Sequence, residues 1–154
     1  ELYERFLPFV DNGATCDQLP TKVFAKRPGE TLDQVKRWLA SDHCYTIRFA
    51  MGILMRLYLD ELFEPRFCEW VAATRMPNSE AHPATEDDIY YVDMMRAWYF
   101  AEALAKQEAA ALPYLERQGD KALLDEWTRR KAIQKAIESR RIAASMKDYL
   151  RTLR

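Results

Sequence analysis

The sequence predicts an all-α fold, and three observations lead there. Apolar residues recur at helical rather than alternating spacing in one segment after another. Capping residues stand ahead of several of these stripes. Only four glycines punctuate 154 residues, too few for a turn-rich β-architecture. The chain is 49% hydrophobic and 31% charged and long enough to bury a core without disulfides or a structural metal. A single domain over residues 1–154 is therefore expected.

The elements follow in order. Residues 1–10 carry Leu2, Phe6, Leu7, Phe9 and Val10, but Pro8 would interrupt a helix there. Asp11 or Asn12 can cap a helix through Ala14, Cys16, Leu19, Val23 and Phe24 that ends at Arg27-Pro28-Gly29. Thr31 and Gln34 have capping-box spacing ahead of a stripe of Leu32, Val35, Trp38 and Leu39. Ser41 or Asp42 is expected to cap a helix from Cys44 to Leu59, buried along Tyr45, Phe49, Ile53, Leu54 and Leu57.

Pro65 suits the first turn of a helix holding Phe67, Trp70, Val71 and Ala72, and Pro77 stops it. Thr85 heads an acidic first turn, Glu86, Asp87 and Asp88, that complements the helix dipole. The apolar segment Ile89 to Ala105 that follows is expected to be the most buried helix. Helices over 107–117, 121–138 and 142–152 complete the chain, jointed at Gly119-Asp120 and Ser139-Arg140. The pattern fits a solenoid of about seven to eight antiparallel helices or an ordinary bundle.

Charge is unevenly placed. The net charge is −1, yet residues 121–154 hold ten basic and four acidic side chains, a net of +6. The end of the chain is the better place for an anionic partner, with a merely solvated basic face as the alternative. Cys16, Cys44 and Cys68 form no CxxC or Cys/His cluster and read as reduced, mostly buried thiols. His43 and His82 have neither metal nor triad spacing. No cofactor and no metal are expected. No apolar run reaches the roughly 20 residues of a membrane span, so a cytoplasmic protein is expected, its natural start missing.

Four ordered segments carry a resemblance. They are Val10-Asp11-Asn12-Gly13-Ala14-Thr15-Cys16-Asp17, Tyr45-Thr46-Ile47-Arg48-Phe49-Ala50, Tyr90-Tyr91-Val92-Asp93-Met94-Met95-Arg96-Ala97-Trp98, and Lys131-Ala132-Ile133-Gln134-Lys135-Ala136-Ile137-Glu138-Ser139. With the terminal Lys147, Leu150-Arg151 and Leu153-Arg154, the chain resembles the AlkD-like DNA alkylation repair family. The resemblance spans all 154 residues and the C-terminal portion of a longer family domain. It implies a HEAT-like helical-repeat solenoid whose basic concave face cradles double-stranded DNA with alkylated bases.

The activity it implies is excision of cationic N3- or N7-alkylpurines by a DNA glycosylase. A cationic base leaves readily, so such a catalyst needs no strong acid. A fixed carboxylate beside the developing sugar cation, aromatic faces, and cations on the flanking phosphates suffice. By the resemblance Asp17 is the carboxylate, with a capping Asp as its alternative. Arg48 meets phosphate, or else is an interior arginine paired with Asp17 or another acid. Trp98 is the second aromatic, or else core. Lys131, Lys135, Arg140 and Arg141 approach the DNA backbone.

The family usually has Trp where this chain has Gly13. Glycine supplies neither the contact with the sugar nor the π face, so weak excision is expected. Two other readings stand beside the enzyme: a catalytically inactive DNA-binding member of the same fold, and a helical-repeat scaffold that binds protein.

Overall fold

The computed structural model describes residues 28–154. Among them lie seven α-helices and no strand: α1 Pro28–Leu39, α2 Cys44–Leu57, α3 Arg66–Ala73, α4 Glu86–Lys106, α5 Glu108–Glu116, α6 Glu126–Glu138 and α7 Ala144–Thr152, with a 3-10 turn at Gly119–Lys121. The chain divides into two compact units. The first takes in residues through Leu57 and Thr74–Met95, the second Tyr58–Ala73 and Arg96–Arg154, so the boundary falls inside α4.

In the first unit α1 packs on α2. Val35 and Trp38 are buried, and the Trp38 ring meets Phe49 edge-on with centroids 5.6 Å apart. Every residue of α2 from Cys44 to Met55 is buried. The reason is compositional: apolar residues and small Ala50 and Gly52 surround this helix on all sides, with no charged stripe to turn toward water. The start of α4 is fixed by a reciprocal capping box. The Asp88 N–H donates to Thr85 Oγ1 at 3.0 Å, and the Thr85 N–H to Asp88 Oδ2 at 3.3 Å.

The second unit is organised by two arginines that have almost no exposure, Arg96 at 0% and Arg129 at 1%. From α4, Arg96 donates through Nε to the Val71 carbonyl at 3.1 Å and through Nη2 to the Ala72 carbonyl at 2.7 Å. Its Nη1 donates to Asp125 Oδ1 at 2.8 Å and to Thr128 Oγ1 at 3.1 Å. One guanidinium thus satisfies the orphan carbonyls ending α3 and holds the N-cap of α6. Asp125 in turn accepts from the Thr128 N–H at 3.2 Å.

Arg129 does the same for two other helix ends. Its Nη1 donates to the carbonyls of Leu115 at 3.0 Å and Leu153 at 2.8 Å, near the C-termini of α5 and α7. Its Nη2 meets Glu126 Oε1 at 2.6 Å. A cation suits those positions because the helix dipole concentrates partial negative charge there. Phe100 of α4 and Tyr114 of α5 pack with centroids 4.8 Å apart. Gln107 joins these two helices, its Nε2 donating to the Leu59 carbonyl at 2.9 Å.

The all-helical expectation holds, and four details change. Helix α1 begins at Pro28, so Thr31 and Gln34 lie inside it rather than forming a capping box. Proline is preorganised for the first turn and loses no hydrogen bond there. At α2 the cap is His43, whose Nδ1 accepts from the Thr46 N–H at 3.4 Å, while Ser41 Oγ accepts from the His43 N–H. Helix α6 starts at Glu126 instead of 121, because Gly119 at φ +66 opens a separate 3-10 turn and Asp125 is the true cap. The most buried helix is α2 and not the segment from Ile89 to Ala105, where Tyr90 is 47% exposed. Expected elements before residue 28 lie outside the described residues.

Arg96 sets two expectations. Arg96→Met removes the donors to two carbonyls and leaves Asp125 without its cation, so unfolding free energy should fall by about 3–5 kcal/mol. Denaturant titration would read this, and a loss under about 0.5 kcal/mol, typical of surface positions, would remove Arg96 from its central place. Burial pushes the Asp125 carboxyl up, but hydrogen bonds from Arg96 and Thr128 outweigh it and bring it below the usual aspartate value. A lowered carboxylate stabilises the fold fully above its unfolded value, near about pH 4, and that stabilisation is lost as pH falls through the lowered value. Asp125→Asn should therefore flatten the acid limb of a stability–pH curve; an unchanged limb would show that Asp125 does not contribute to it.

Candidate nucleic-acid interface

Arg48 sits in α2 among apolar neighbours and is only 6% exposed. Its Nη1 donates to the Tyr91 carbonyl at 2.8 Å, and its guanidinium carbon lies 5.8 Å from the Tyr91 ring centroid. An arginine enters an apolar helix here because α4 offers it a carbonyl and a π face in the same place. Arg48 is thus an interior arginine with the Tyr91 carbonyl and ring among its neighbours. Asp17, the other candidate partner, lies outside the described residues, as do Gly13 and Cys16.

Aromatic rings extend from this point. Tyr91 contacts Tyr45 at 5.9 Å and Tyr90 at 5.7 Å between centroids, and Tyr45 contacts His43 at 6.0 Å. Burial, with Cys44 and Tyr91 close by, pushes the Tyr45 hydroxyl up. Burial, and then the hydrogen bond to Asp88, push the Cys44 thiol up to about 12. Burial likewise raises Cys68 to about 11. Both cysteines are free and buried, and thiols raised this far hold almost no thiolate at neutral pH, so neither is a nucleophile.

Trp98 is half-buried on the stretch of α4 that belongs to the second unit. Arg48 belongs to the first, and each is placed here within its own unit. The four basic candidates all fall in the second unit and divide by their surroundings. Arg141 forms an ion pair with Glu102 at 2.8 Å. Lys131 donates to Gln134 Oε1 at 3.1 Å. Lys135 is half-buried on α6, and Arg140 is exposed in the link that follows.

The acids among them are committed. Hydrogen bonds from Arg129 and Arg130 hold the Glu126 carboxyl below the usual glutamate range. Asp125 is held by Arg96 and Asp148 by Arg151. Among the described residues of 121–154, no ion pair engages Lys131, Lys135 or Arg140. These three cations therefore keep their charge without an acid beside them, Lys131 and Lys135 half-buried on α6 and Arg140 exposed in the link.

Sequence reading missed three residues. Arg96 had a legible signal as a lone cation set among Met94, Met95 and Ala97, whereas Arg129 stands in the run Arg129-Arg130-Lys131, where nothing in the sequence singles it out. Trp127 had a weaker signal, a tryptophan one residue past an acidic helix start. It is 42% exposed, and Lys131 Nζ stands 5.7 Å from its ring centroid. No group of His, Cys, Asp or Glu able to hold a metal lies among the described residues, and no described helix is long and apolar enough to cross a membrane. The chain matches no known family, curated protein or solved structure.

Arg48 carries the test of this geometry. A charged hydrogen bond contributes about 1.5–3 kcal/mol, so Arg48→Met should lower unfolding free energy by that amount. Chemical denaturation would read it, and an unaltered midpoint would place the guanidinium in solvent instead.

Proposed function

We propose that this chain is an AlkD-like DNA alkylation repair protein that binds duplex DNA carrying cationic N3- or N7-alkylpurines. The observation that carries the reading is the net charge of +6 on residues 121–154, three of whose four acids are already held by arginines. A phosphate backbone is the polymer such a surface suits, through counterion release. The four ordered segments supply the chemistry, and a HEAT-like helical stack belongs to the same reading.

In that chemistry the bond from C1′ to the base nitrogen breaks and its electron pair leaves with the base, which becomes neutral. Positive charge remains on the sugar. Asp17 stabilises it and orients the water whose oxygen bonds C1′, the water proton passing to solvent. Trp98 holds the nucleotide, and Arg48, which grips the Tyr91 carbonyl within its own unit, is the candidate for phosphate. Lys131, Lys135, Arg140 and Arg141 meet the backbone phosphates.

Gly13 favours a second reading, binding without appreciable excision, because the indole that would press the sugar against Asp17 is absent. Incubation with N-methylated DNA and quantification of released bases separates the two, with duplex binding measured in parallel. Parent protein should release little, and Gly13→Trp should raise release on the order of a hundredfold, the scale of one restored positioning contact. Asp17→Asn should abolish that gain. Gly13→Trp release that matches the parent, or survives Asp17→Asn, would overturn the assignment of this site, and absence of any DNA binding would favour a protein-binding scaffold.

A further inference from the structure

We propose that α7 is a strap that opens from α5 and α6 as one piece, hinged at Ala143 and Ala144 and latched by Tyr149. All three helices belong to the second unit.

Two features set α7 apart from the helix it packs on. Its N-cap position is Ala143, which gives no side-chain hydrogen bond, whereas Asp125 caps α6 by accepting from the Thr128 N–H at 3.2 Å. An alanine there leaves the first N–H groups of the helix without a side-chain partner and weakens that end. Burial differs in the same sense. Of the nine residues of α7 Leu150 is the buried one, against five buried residues in α6. A helix this short depends on its packing to form at all.

Polar ties complete its hold. The Tyr149 hydroxyl donates to Glu116 Oε2 of α5, and the Leu153 carbonyl accepts from Arg129 Nη1 of α6 at 2.8 Å. Tyr149 is 40% exposed, so its tie faces water. The link before α7 is anchored instead: Ile142 is buried, and Arg141 pairs with Glu102 at 2.8 Å. Ala143 and Ala144 are exposed and carry no side chain that could grip a neighbour. Torsion at these two residues releases α7 while α6 stays folded. Segments with little buried apolar surface open below the free energy of global unfolding.

Opening redistributes charge. Lys147, Arg151 and Arg154, three of the ten basic side chains of residues 121–154, travel with the strap. Arg129 loses the Leu153 carbonyl and keeps the Leu115 carbonyl and Glu126. A guanidinium shut from water in the closed form then meets solvent. The position of the strap thus sets how much positive charge this surface presents.

Native-state hydrogen exchange on the full chain reads the opening. Amides of α7 should exchange faster than those of α6, through a motion that leaves α6 closed. Tyr149→Phe keeps the ring and removes the donor, so α7 exchange should rise about fivefold, the scale of one net hydrogen bond, with α6 exchange and helical circular dichroism unchanged. Ala143→Ser supplies the missing cap and should slow α7 exchange by a similar factor.

Exchange of α6 and α7 at one common rate would overturn the strap, and so would Tyr149→Phe speeding both helices alike. Exchange in α7 that Tyr149→Phe leaves unaltered would remove the latch. Exchange that Ala143→Ser leaves unaltered would place the opening elsewhere than at the uncapped end.

Discussion

A guanidinium shut away from water must find its hydrogen bonds inside the protein, and Arg96 finds four acceptors there. Two are the carbonyls that α3 cannot satisfy within itself, and two belong to the capping turn of α6. Segments far apart in sequence are thereby tied to one turn of α4. Burying a charge is expensive, and such arrangements are tolerated when good hydrogen bonds take up the donors. Their yield is specificity: a helix end placed a turn away would leave carbonyls and cation mismatched. Arg129 repeats the device for α5 and α7. Where short helices such as α3 and α5 have little length to bury, fixing their ends decides whether they form at all.

The same arginines shape the outer surface. Asp125, which caps α6 and pairs with Arg96, is one acid fewer to neutralise the exterior, while Glu126 is bonded to Arg129 and Arg130 at the surface. Lys131 and Lys135 of α6 are half-buried, and among the described residues no ion pair engages them. An internal requirement of the fold and part of the external surplus of positive charge therefore share one origin. In the first unit the balance runs the other way, because Glu86, Asp87 and Asp88 gather at the start of α4 as a dipole complement.

Much of the fold was legible because helical period and caps are local. The stripe of α1, the proline before α3 and the Thr85 capping residue all act within a few residues, and all appear where the sequence places them. What failed was the choice between adjacent signals. Pro28 reads equally as a stop and as a first turn, and His43 is passed over as a cap because an imidazole does that work rarely. Burial of α2 above α4 depends on what surrounds each helix, which no single stripe states.

The site was less legible. Arg48 stands out as a cation in an apolar helix, and Arg96 in Met94-Met95-Arg96-Ala97 stands out on the same ground, although the resemblance points to the neighbouring Trp98. Two of the four acceptors of Arg96 are main-chain carbonyls, which have no sequence signature. Trp127 escaped for a similar reason, since exposure is a property of packing and not of residue type.

The central claim is that residues 121–154 engage a phosphate backbone, and salt reads this most directly. Measured across a series of salt concentrations, the affinity for duplex DNA should fall linearly on a double-logarithmic plot with a slope of about −3 or steeper, as expected when several lysines and arginines displace condensed counterions. An affinity that stays level across the series, or no binding at low salt, would contradict the account.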